Sequence, residues 1–255
     1  MSIKTKWVGA RHLLYTYLTA LPRIVWRLTG SILLNPKAAQ RFLHHALEGD
    51  DLQEDDPVLG SADLVELIPS LGLVDIAIVG PYYSHRSSDT RLLLELAYLA
   101  YLARHLNPAL IFEIGTFVGR TTRLLALNSP DSCRIVTLDL PQASVAHTVG
   151  EAFAGATEAG KIVQLYGDSV TFDFSPWYSK CDFVWVDACH DYEHVAADTK
   201  AALRLVRPGG WIAWHDYRHT AWWSGVTRYL RELKRDHPKL RHLRHSTIAV
   251  LAVTK

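Results

Sequence analysis

The chain has 255 residues, enough for one sizeable α/β domain with additions, and its 49% hydrophobic content excludes wholesale disorder. A net charge of +1 gives no reason to expect nucleic acid as a partner. The three cysteines, Cys133, Cys181 and Cys189, form no CxxC pair, and the first two, which each precede a short apolar run, are interpreted mainly as buried or strand-flanking thiols. Their number and spacing favour a reducing compartment, so we expect a cytoplasmic protein.

The N-terminal part differs from the rest in charge. Residues 1–47 contain seven lysines and arginines and no acid, whereas residues 48–56 are strongly acidic. We therefore predict two parts, a basic helical extension with an acidic, solvated connector at 1–56 and a larger domain at 57–255. No apolar run in 1–47 approaches the roughly 20 residues of a membrane span. Two interpretations remain open for this segment: helices that cover the core or a dimer partner, and peripheral contact with a membrane surface.

Beyond residue 85, helical and strand-like segments alternate. Polar side chains at 87–89 offer N-cap oxygens to the first helix of this part. The predicted elements are a helix at 91–104, strands at 110–114, 134–139, 161–166 and 183–187, a helix at 195–206 ended by Pro208-Gly-Gly210, a strand at 211–214, a helix at 227–234 and a strand at 248–253. This order predicts an α/β fold with a doubly wound, mostly parallel sheet and helices on both faces.

Ligands of such sheets bind beyond the carboxyl ends of the strands, and three consecutive strand ends carry suitable residues. The first strand is followed by a turn with Gly115 and Gly119, where the missing Cβ lets the backbone turn tightly. The second strand ends at Asp139, where a carboxylate can accept hydrogen bonds from a ribose diol. The third is followed by Asp168, which can accept from an adenine amino group. Together these residues predict a nucleoside site, although both aspartates can also act as helix caps.

Three sequence blocks resemble those of a known enzyme family. They are IFEIGTFVGRTT at 111–122, DFVWVDACHDYEHV at 182–195 and LVRPGGWIAWHDY at 205–217. Residues 75–255 resemble class I S-adenosylmethionine-dependent methyltransferases with a Rossmann-like fold. They are most similar to the branch of metal-dependent sugar and macrolide O-methyltransferases and cephalosporin-hydroxylase-like proteins.

The resemblance implies a cofactor pocket for S-adenosylmethionine. Glu113, Gly115, Asp139 and Asp168 would line it, and Gly119 would shape its loop. The expected reaction is methylation of a hydroxyl group on a small molecule or a glycan.

Two further strand ends carry residues that can promote methyl transfer. In similar enzymes the aspartate of a D-x-x-H stretch holds a divalent cation and the histidine is the general base, which here implies Asp187 and His190. Near neutral pH an imidazole can accept a hydroxyl proton. His215 and Asp216 follow the next strand, where relatives carry further metal ligands. Asp187 and Asp216 suit Mg²⁺, whereas the nitrogen of His215 favours a transition metal, no metal, or a second base.

Other residues receive weaker interpretations. His194 is a helical neighbour of His190 and is expected on the surface, because no third ligand of fixed geometry is evident. The histidine-rich basic segment at 234–245 is expected to form a solvated turn. Seven aromatic or basic side chains are expected either to wall the acceptor pocket or to pack a lid: Tyr82, Tyr83, His85, Arg86, Tyr217, Trp222 and Trp223.

Two other functions stay open at this point. An NAD-linked oxidoreductase is disfavoured because the third glycine of GxGxxG is missing. A nonenzymatic nucleoside-binding scaffold, docked at a membrane through residues 1–47, would keep the cofactor site without needing His190. A homo-oligomer is also compatible with the sequence.

Overall fold

A computed structural model of the chain describes residues 55–70, 74–78, 90–218 and 225–254. The predicted helical extension, including the basic segment 1–47, lies outside these residues. So do the N-capping positions 87–89 and the predicted wall residues Tyr82, Tyr83, His85, Arg86, Trp222 and Trp223. None of the helices in the described part is long and apolar enough to cross a membrane.

The described residues form eight strands and five α-helices. In chain order they are β1 (Ser61–Ala62), α1 (Leu64–Leu67), α2 (Thr90–Leu106), β2 (Leu110–Ile114), α3 (Arg120–Leu127), β3 (Arg134–Asp139), β4 (Ile162–Tyr166), β5 (Cys181–Val186), α4 (Tyr192–Leu205), β6 (Val206–Trp214), α5 (Gly225–Leu233), β7 (Arg241–Leu243) and β8 (Ala249–Ala252).

The strands form one sheet in the order β1-β7-β8-β6-β5-β2-β3-β4. β2 pairs in parallel with both β3 and β5, and β5 pairs in parallel with β6. Only β8 runs antiparallel to its described neighbours, β6 and β7. The predicted doubly wound, mostly parallel sheet is therefore confirmed. The chain runs outward through β3 and β4 and then returns to β5 on the other side of β2, so the crevice for ligands is expected between the ends of β2 and β5.

The central strands are buried on both faces, as expected for a parallel sheet covered by helices. In β2, Phe112 and Ile114 belong to one core cluster and Ile111 belongs to the other. Successive side chains of a strand point to opposite faces, so the two clusters lie on opposite sides of the sheet. A layer of apolar side chains on each face therefore fixes the strands whose ends form the site.

The helix predicted at 195–206 spans Tyr192–Leu205, but its predicted terminator has another role. Pro208, Gly209 and Gly210 lie inside β6 instead of in a loop before it. The pairing of β6 with β5 shifts register between Cys181 and Phe183. Proline has no N–H to contribute to a ladder, so it is tolerated at such an irregularity.

The expectation of a solvated turn at 234–245 is wrong for residues 241–243, which form β7. His242 is wholly buried there. Its Nδ1 lies 2.9 Å from Ser61 Oγ and its Nε2 lies 2.7 Å from the carbonyl oxygen of Ser246. His242 can therefore be buried although it lies in a basic stretch, because both of its ring nitrogens have hydrogen-bond partners.

The expectation of a solvated acidic connector is wrong at its last residue. Asp56 is 2% exposed, and its carboxylate accepts hydrogen bonds from the backbone N–H groups of Val58 and Leu59 at 2.9 and 2.7 Å. The hydroxyl of Tyr217 donates to the same carboxylate at 2.9 Å. Asp55, by contrast, is exposed and pairs with Arg244. Of these two connector residues, Asp56 is therefore part of the buried core and Asp55 lies on the surface.

Candidate active site

Backbone hydrogen bonds join the loops at the carboxyl ends of four neighbouring strands. The Gly115 N–H donates to the carbonyl of Leu138 at 2.9 Å, and the Asp187 N–H donates to that of Ile114 at 2.8 Å. The His215 N–H donates to the carbonyl of Val186 at 3.1 Å. The ends of β2, β3, β5 and β6 thus form one continuous edge, which brings the predicted strand-end residues together.

Glycine is required at position 115, where the loop after β2 crosses the end of β5. Its φ is +102°, and a Cβ there would lie 2.0 Å from the carbonyl oxygen of Asp187. Gly119, with a φ of +79°, immediately precedes α3, and a Cβ there would lie 2.5 Å from the ring of Phe153. The two glycines let the loop pack against the neighbouring backbone and against a ring, so the loop stays thin beside the crevice.

Phe117, between the two glycines, takes a backbone conformation that is unusual for a large side chain. Its φ is +50°, and its side chain is 59% exposed. The Phe117 N–H donates to Asp139 Oδ2 at 2.6 Å, and its carbonyl accepts from the Gly150 N–H at 3.0 Å. Its ring lies 4.3 Å, centroid to centroid, from that of His147. The loop thus presents an aromatic side chain to solvent at the cavity rim.

The larger of two cavities at this edge has a volume of about 390 Å³, within the range of small-molecule sites. Apolar side chains of Leu138, Leu140 and Val145 form much of its wall, and Asp139 and Asp168 supply carboxylates. Asp139 Oδ1 accepts from the Leu140 N–H at 2.7 Å, and Asp168 Oδ1 accepts from the Val170 N–H at 2.9 Å. Backbone donors therefore orient both predicted nucleoside-binding carboxylates.

Glu113 lies beneath the cavity and is not among the residues that line it. Its Oε2 accepts from the hydroxyls of Thr122 and Thr137 at 2.5 and 2.6 Å, whereas its buried Oε1 has no partner within the described chain. Burial raises the pKa of Glu113 to about 8. The structure thus places it as a tie between α3 and β3 instead of on the wall where the sequence predicted it.

A second cavity of about 180 Å³ lies on the other side of the Gly115 loop. It shares Gly115, Phe117 and Asp187 with the larger cavity. Glu95 and His215 add ionisable groups to its wall. The two cavities therefore meet at the end of β5, where the sequence placed the reaction.

His190 and Asp216 form the shortest ion-pair contact at this edge. His190 Nε2 lies 2.5 Å from Asp216 Oδ2, and the imidazole is 59% exposed whereas the carboxylate is 13% exposed. The hydrogen bond to Asp216 raises the pKa of His190 above its ordinary value. The arrangement is a carboxylate-oriented imidazole that is open to solvent on its other side.

His215 lies between three carboxylates. Its Nδ1 is 3.3 Å from Asp187 Oδ1 and 3.2 Å from Asp216 Oδ2, and its Nε2 is 3.3 Å from Glu95 Oε2. Although burial opposes the charged form, the carboxylates of Asp187 and Asp216 raise the pKa of His215 well above its ordinary value. His215 therefore acts as a cation that joins the strand-end acids.

Glu95 is a site residue that the sequence analysis missed, because it reads as one acid in the helix α2. It is 6% exposed, and its Oε1 accepts from the backbone N–H and the hydroxyl of Thr247 at 2.6 and 2.8 Å. The pairing with His215 spans 120 positions of sequence. A single acid on an apolar helical stretch was the only available signal.

The ligand atoms of Asp187, His190 and Asp216 all lie within 4.8 Å of one another, a grouping that can hold a metal ion. Two of these are predicted metal ligands. The third predicted ligand, His215, faces the same two aspartates, but the compact group that the structure assembles includes His190 in its place.

Asp216 sits in a strained turn that a buried tyrosine fixes. Asp216 and Arg218 have φ values of +59° and +62°, which are rare for residues other than glycine. Tyr217 between them is fully buried, its N–H donates to the Thr247 carbonyl at 2.8 Å, and its hydroxyl bonds Asp56. The interpretation of Tyr217 as a pocket wall is therefore wrong. It anchors the turn instead.

Comparisons with known proteins agree with this architecture. Residues 112–217 match a family model described as a methyltransferase domain. No curated protein matches the chain in sequence.

Three solved structures share the fold. The O-methyltransferase TomG from Streptomyces achromogenes, involved in tomaymycin synthesis and solved with S-adenosylmethionine, is 22% identical over 81% of this chain and 94% of its own, with a TM-score of 0.50. Cofactor-bound Rv0187 from MTB is 23% identical over 87% and 98%, with a TM-score of 0.50. The Podospora anserina methyltransferase PaMTH1, bound to S-adenosylhomocysteine, is 16% identical over 64% and 79%, with a TM-score of 0.50.

The match over residues 112–217 and the doubly wound fold shared with the solved structures together assign a methyltransferase domain to this part of the chain.

Proposed function

We propose that the chain transfers a methyl group from S-adenosylmethionine to a hydroxyl of a small molecule or a glycan. The observation that carries this proposal is the contact of 2.5 Å between His190 Nε2 and Asp216 Oδ2 beside the two joined cavities. A solvent-accessible imidazole oriented by a carboxylate suits removal of a hydroxyl proton. TomG, which shares the fold, is described as an O-methyltransferase.

The adenosyl end of the cofactor would occupy the larger cavity. Asp139 would accept hydrogen bonds from the ribose diol, and Asp168 would accept from the adenine amino group. Each carboxylate is already oriented by a backbone donor and keeps lone pairs for a ligand. Leu138, Leu140 and Val145 supply the apolar surface that a base needs.

The methionyl end would enter the smaller cavity past Gly115, which lines both cavities. The carboxylates of Glu95 and Asp187 line this cavity. Arg120 and the cationic His215 line it as well, so acids and cations there complement the ammonium and carboxylate groups of the methionyl end. Gly119 would contribute indirectly by setting the start of α3, and Glu113 by tying α3 to β3 beneath the loop.

S-adenosylmethionine, when bound, supplies an activated methyl group that passes to the acceptor oxygen and leaves S-adenosylhomocysteine. The protein aligns the acceptor and takes its proton. With His190 Nε2 donating to Asp216, the other ring nitrogen can accept the hydroxyl proton. Asp216 holds the ring and stabilises the resulting imidazolium, while the strained turn anchored by Tyr217 fixes Asp216.

A divalent cation fits the same edge. Asp187 and Asp216 would hold it, beside His190 as the base, because the ligand atoms of these three residues lie within 4.8 Å of one another. Two carboxylates suit Mg²⁺, and an imidazole adds preference for a transition metal. His215, the nitrogen ligand predicted from sequence, faces both aspartates and would have to lose its proton to bind the cation. Such a cation would polarise the acceptor hydroxyl and lower its pKa.

Binding and turnover test the proposal separately. Calorimetry with S-adenosylhomocysteine and with NAD should show binding of the former alone; the reverse result would favour an oxidoreductase. A screen of sugar and phenolic hydroxyl acceptors with methyl-labelled cofactor should then give a labelled ether. Failure of every hydroxyl acceptor, with transfer to an amine or thiol acceptor instead, would reject O-methylation.

The metal is tested in the same assay. Turnover should fall after dialysis against a chelator and return with Mg²⁺ or Mn²⁺. Unchanged turnover in the chelator would contradict a role for the metal, and His190 would then activate the acceptor hydroxyl without it.

The proposal includes a cytoplasmic location, peripheral contact with a membrane and a homo-oligomer. Three free cysteines fit a reducing compartment such as the cytoplasm. Peripheral membrane contact through residues 1–47 predicts that the full chain sediments with anionic vesicles and much less with neutral ones. Equal sedimentation would reject this contact. Light scattering on the same sample checks for a homo-oligomer.

A further inference from the structure

A second group of metal-ligand side chains lies beside the first residues of α4. Cys189 Sγ is 2.8 Å from Asp191 Oδ2, and His194 Nδ1 is 2.7 Å from the same oxygen. The three ligand atoms lie within 4.8 Å of one another. Cys189 and Asp191 are exposed and His194 is half-buried, so ions in solution can reach the group.

Local structure holds this group in place. Asp191 is the N-cap of α4, and its Oδ1 accepts from the backbone N–H of His194 at 3.0 Å. The cap directs the carboxylate at His194 and leaves Oδ2 between the imidazole and the thiol. The spacing C-x-D-x-x-H at the helix start therefore brings three different ligand types to one point.

The ligand types determine which cation fits. A thiolate, an imidazole and a carboxylate form a set that borderline and soft divalent ions prefer, Zn²⁺ above all, and that Mg²⁺ and Ca²⁺ do not. Three protein ligands leave one tetrahedral position open. The group at Asp187, His190 and Asp216 differs because it contains no sulfur.

We propose that Cys189, Asp191 and His194 form a second cation site, selective for Zn²⁺ or a similar thiophilic divalent ion, and that its occupation blocks the cofactor cavity. Cys189 and His194 line the same cavity as Asp139 and Asp168. An ion held by both would stand within the volume assigned to the adenosyl end, and the thiol proton would pass to solvent. The blocking effect rests on the proposed cofactor position, whereas the cation site itself does not.

Cobalt absorption tests the site independently of catalysis. The full chain titrated with Co²⁺ alone should develop the near-ultraviolet absorption of a cobalt–thiolate bond. Cys189→Ser and His194→Gln should lose it, whereas Asp187→Asn should keep it because that residue belongs to the other group. The matched control His105→Gln, at an exposed position near the end of α2, should also keep it.

Several outcomes of the cobalt experiment would overturn the site. Absence of the absorption, its persistence in Cys189→Ser, or its loss in Asp187→Asn would each do so. Cys189 is exposed, so its serine variant should fold normally, and circular dichroism checks this. Asp191 is not substituted because its loss would also remove the helix cap.

Competition tests the blocking effect. With free Zn²⁺ at about ten times its own dissociation constant, the apparent dissociation constant of S-adenosylhomocysteine should rise about tenfold in the native chain. In Cys189→Ser it should rise less than about twofold at the same zinc concentration. An unchanged affinity in the native chain would overturn the blocking effect. Failure of S-adenosylhomocysteine to bind without zinc would instead contradict the proposed function, and the cobalt result would still decide the cation site.

Discussion

The two ends of the crevice hold their carboxylates by different means. At the proposed nucleoside end, Asp139 and Asp168 accept hydrogen bonds from backbone N–H groups of their own strand-end loops and, for Asp139, of the loop after β2. At the proposed reaction end, Asp187 and Asp216 face the imidazoles of His190 and His215. Backbone donors fix the direction of each acid, whereas side-chain partners couple the acids and imidazoles that follow β5 and β6.

This difference suits the two tasks. A nucleoside needs acceptors that keep their charge and direction whether or not a ligand is bound. Proton removal needs a base and a neighbouring carboxylate that are coupled, so that the carboxylate stabilises the base when it becomes protonated. Although burial opposes it, the imidazoles of His215 and His190 hold the pKa of Asp216 well below its usual range. The reaction end is therefore a coupled unit, and the nucleoside end is a set of separate contacts.

The largest effect is expected where the two ends meet. Gly115→Ala would place a Cβ 2.0 Å from the Asp187 carbonyl oxygen at a φ of +102°, so the loop must move away from β5. We expect the free energy of unfolding to fall by on the order of 3 kcal/mol or more, and both cofactor binding and turnover to be lost. Thermal unfolding and calorimetry measure the two effects. The control Gly160→Ala, which meets no atom within 4 Å, should behave like the native chain.

His190→Asn separates the two ends. It removes the base without touching the nucleoside contacts, so kcat should fall by about 10²- to 10⁴-fold while the dissociation constant of S-adenosylhomocysteine changes less than about twofold. Steady-state kinetics and calorimetry provide the two measurements. His105→Asn is the matched control at an exposed helical position. Native turnover in His190→Asn would show that the dyad does not remove the proton.

Asp198→Asn tests the effect of a buried acid near the proposed nucleoside end. Asp198 is fully buried, and burial raises its pKa from 3.8 to about 6 although the Ser169 side chain partly offsets the shift. Since the raised pKa favours the protonated form in the folded state, the contribution of Asp198 to stability is greatest below pH 4 and is lost as the pH rises through about 6.

At about 1.4 kcal/mol per pH unit, Asp198 should cost the native chain about 3 kcal/mol between pH 4 and pH 8. The asparagine variant should lose this slope, which denaturant unfolding at several pH values can measure. Asp131→Asn, at an exposed position, should keep the native slope. A variant as pH-sensitive as the native chain would mean that Asp198 has a donor or stays solvated.

The smallest effect is expected at a single nucleoside contact. Asp139→Asn keeps an oxygen near the ribose but removes the charge, and the amide cannot accept at both positions from Phe117 and Leu140. We expect S-adenosylhomocysteine to bind about 10- to 100-fold more weakly, with kcat within about threefold at saturating cofactor. A fall in kcat comparable to that of His190→Asn would mean that the two ends are not separable.

Much of the fold, and the places of Asp139 and Asp168 at the strand ends, could be predicted because the signals are local. The strands at 110–114 and 134–139 have the predicted bounds, since a short apolar run between turn residues determines a buried strand. Gly115 and Gly119 follow from the backbone geometry of one loop. The nucleoside-binding role of these two aspartates, inferred from the rule that ligands lie at strand ends, stays a prediction. The predicted solvent exposure of Asp56 and His242 was wrong, because the burial of each depends on a partner that is distant in sequence.

The sequence by itself determined the alternation of elements, the glycine turn and the chemical types at each strand end, because these depend on residues a few positions apart. Only the tertiary structure decided which groups face one another. It joined His190 to Asp216 across 26 positions, joined His215 to Glu95 across 120, and moved Glu113 below the cavity instead of onto its wall. Parallel pairing aligns strand ends that are remote in sequence, so contacts made across those ends exist only once the sheet has formed.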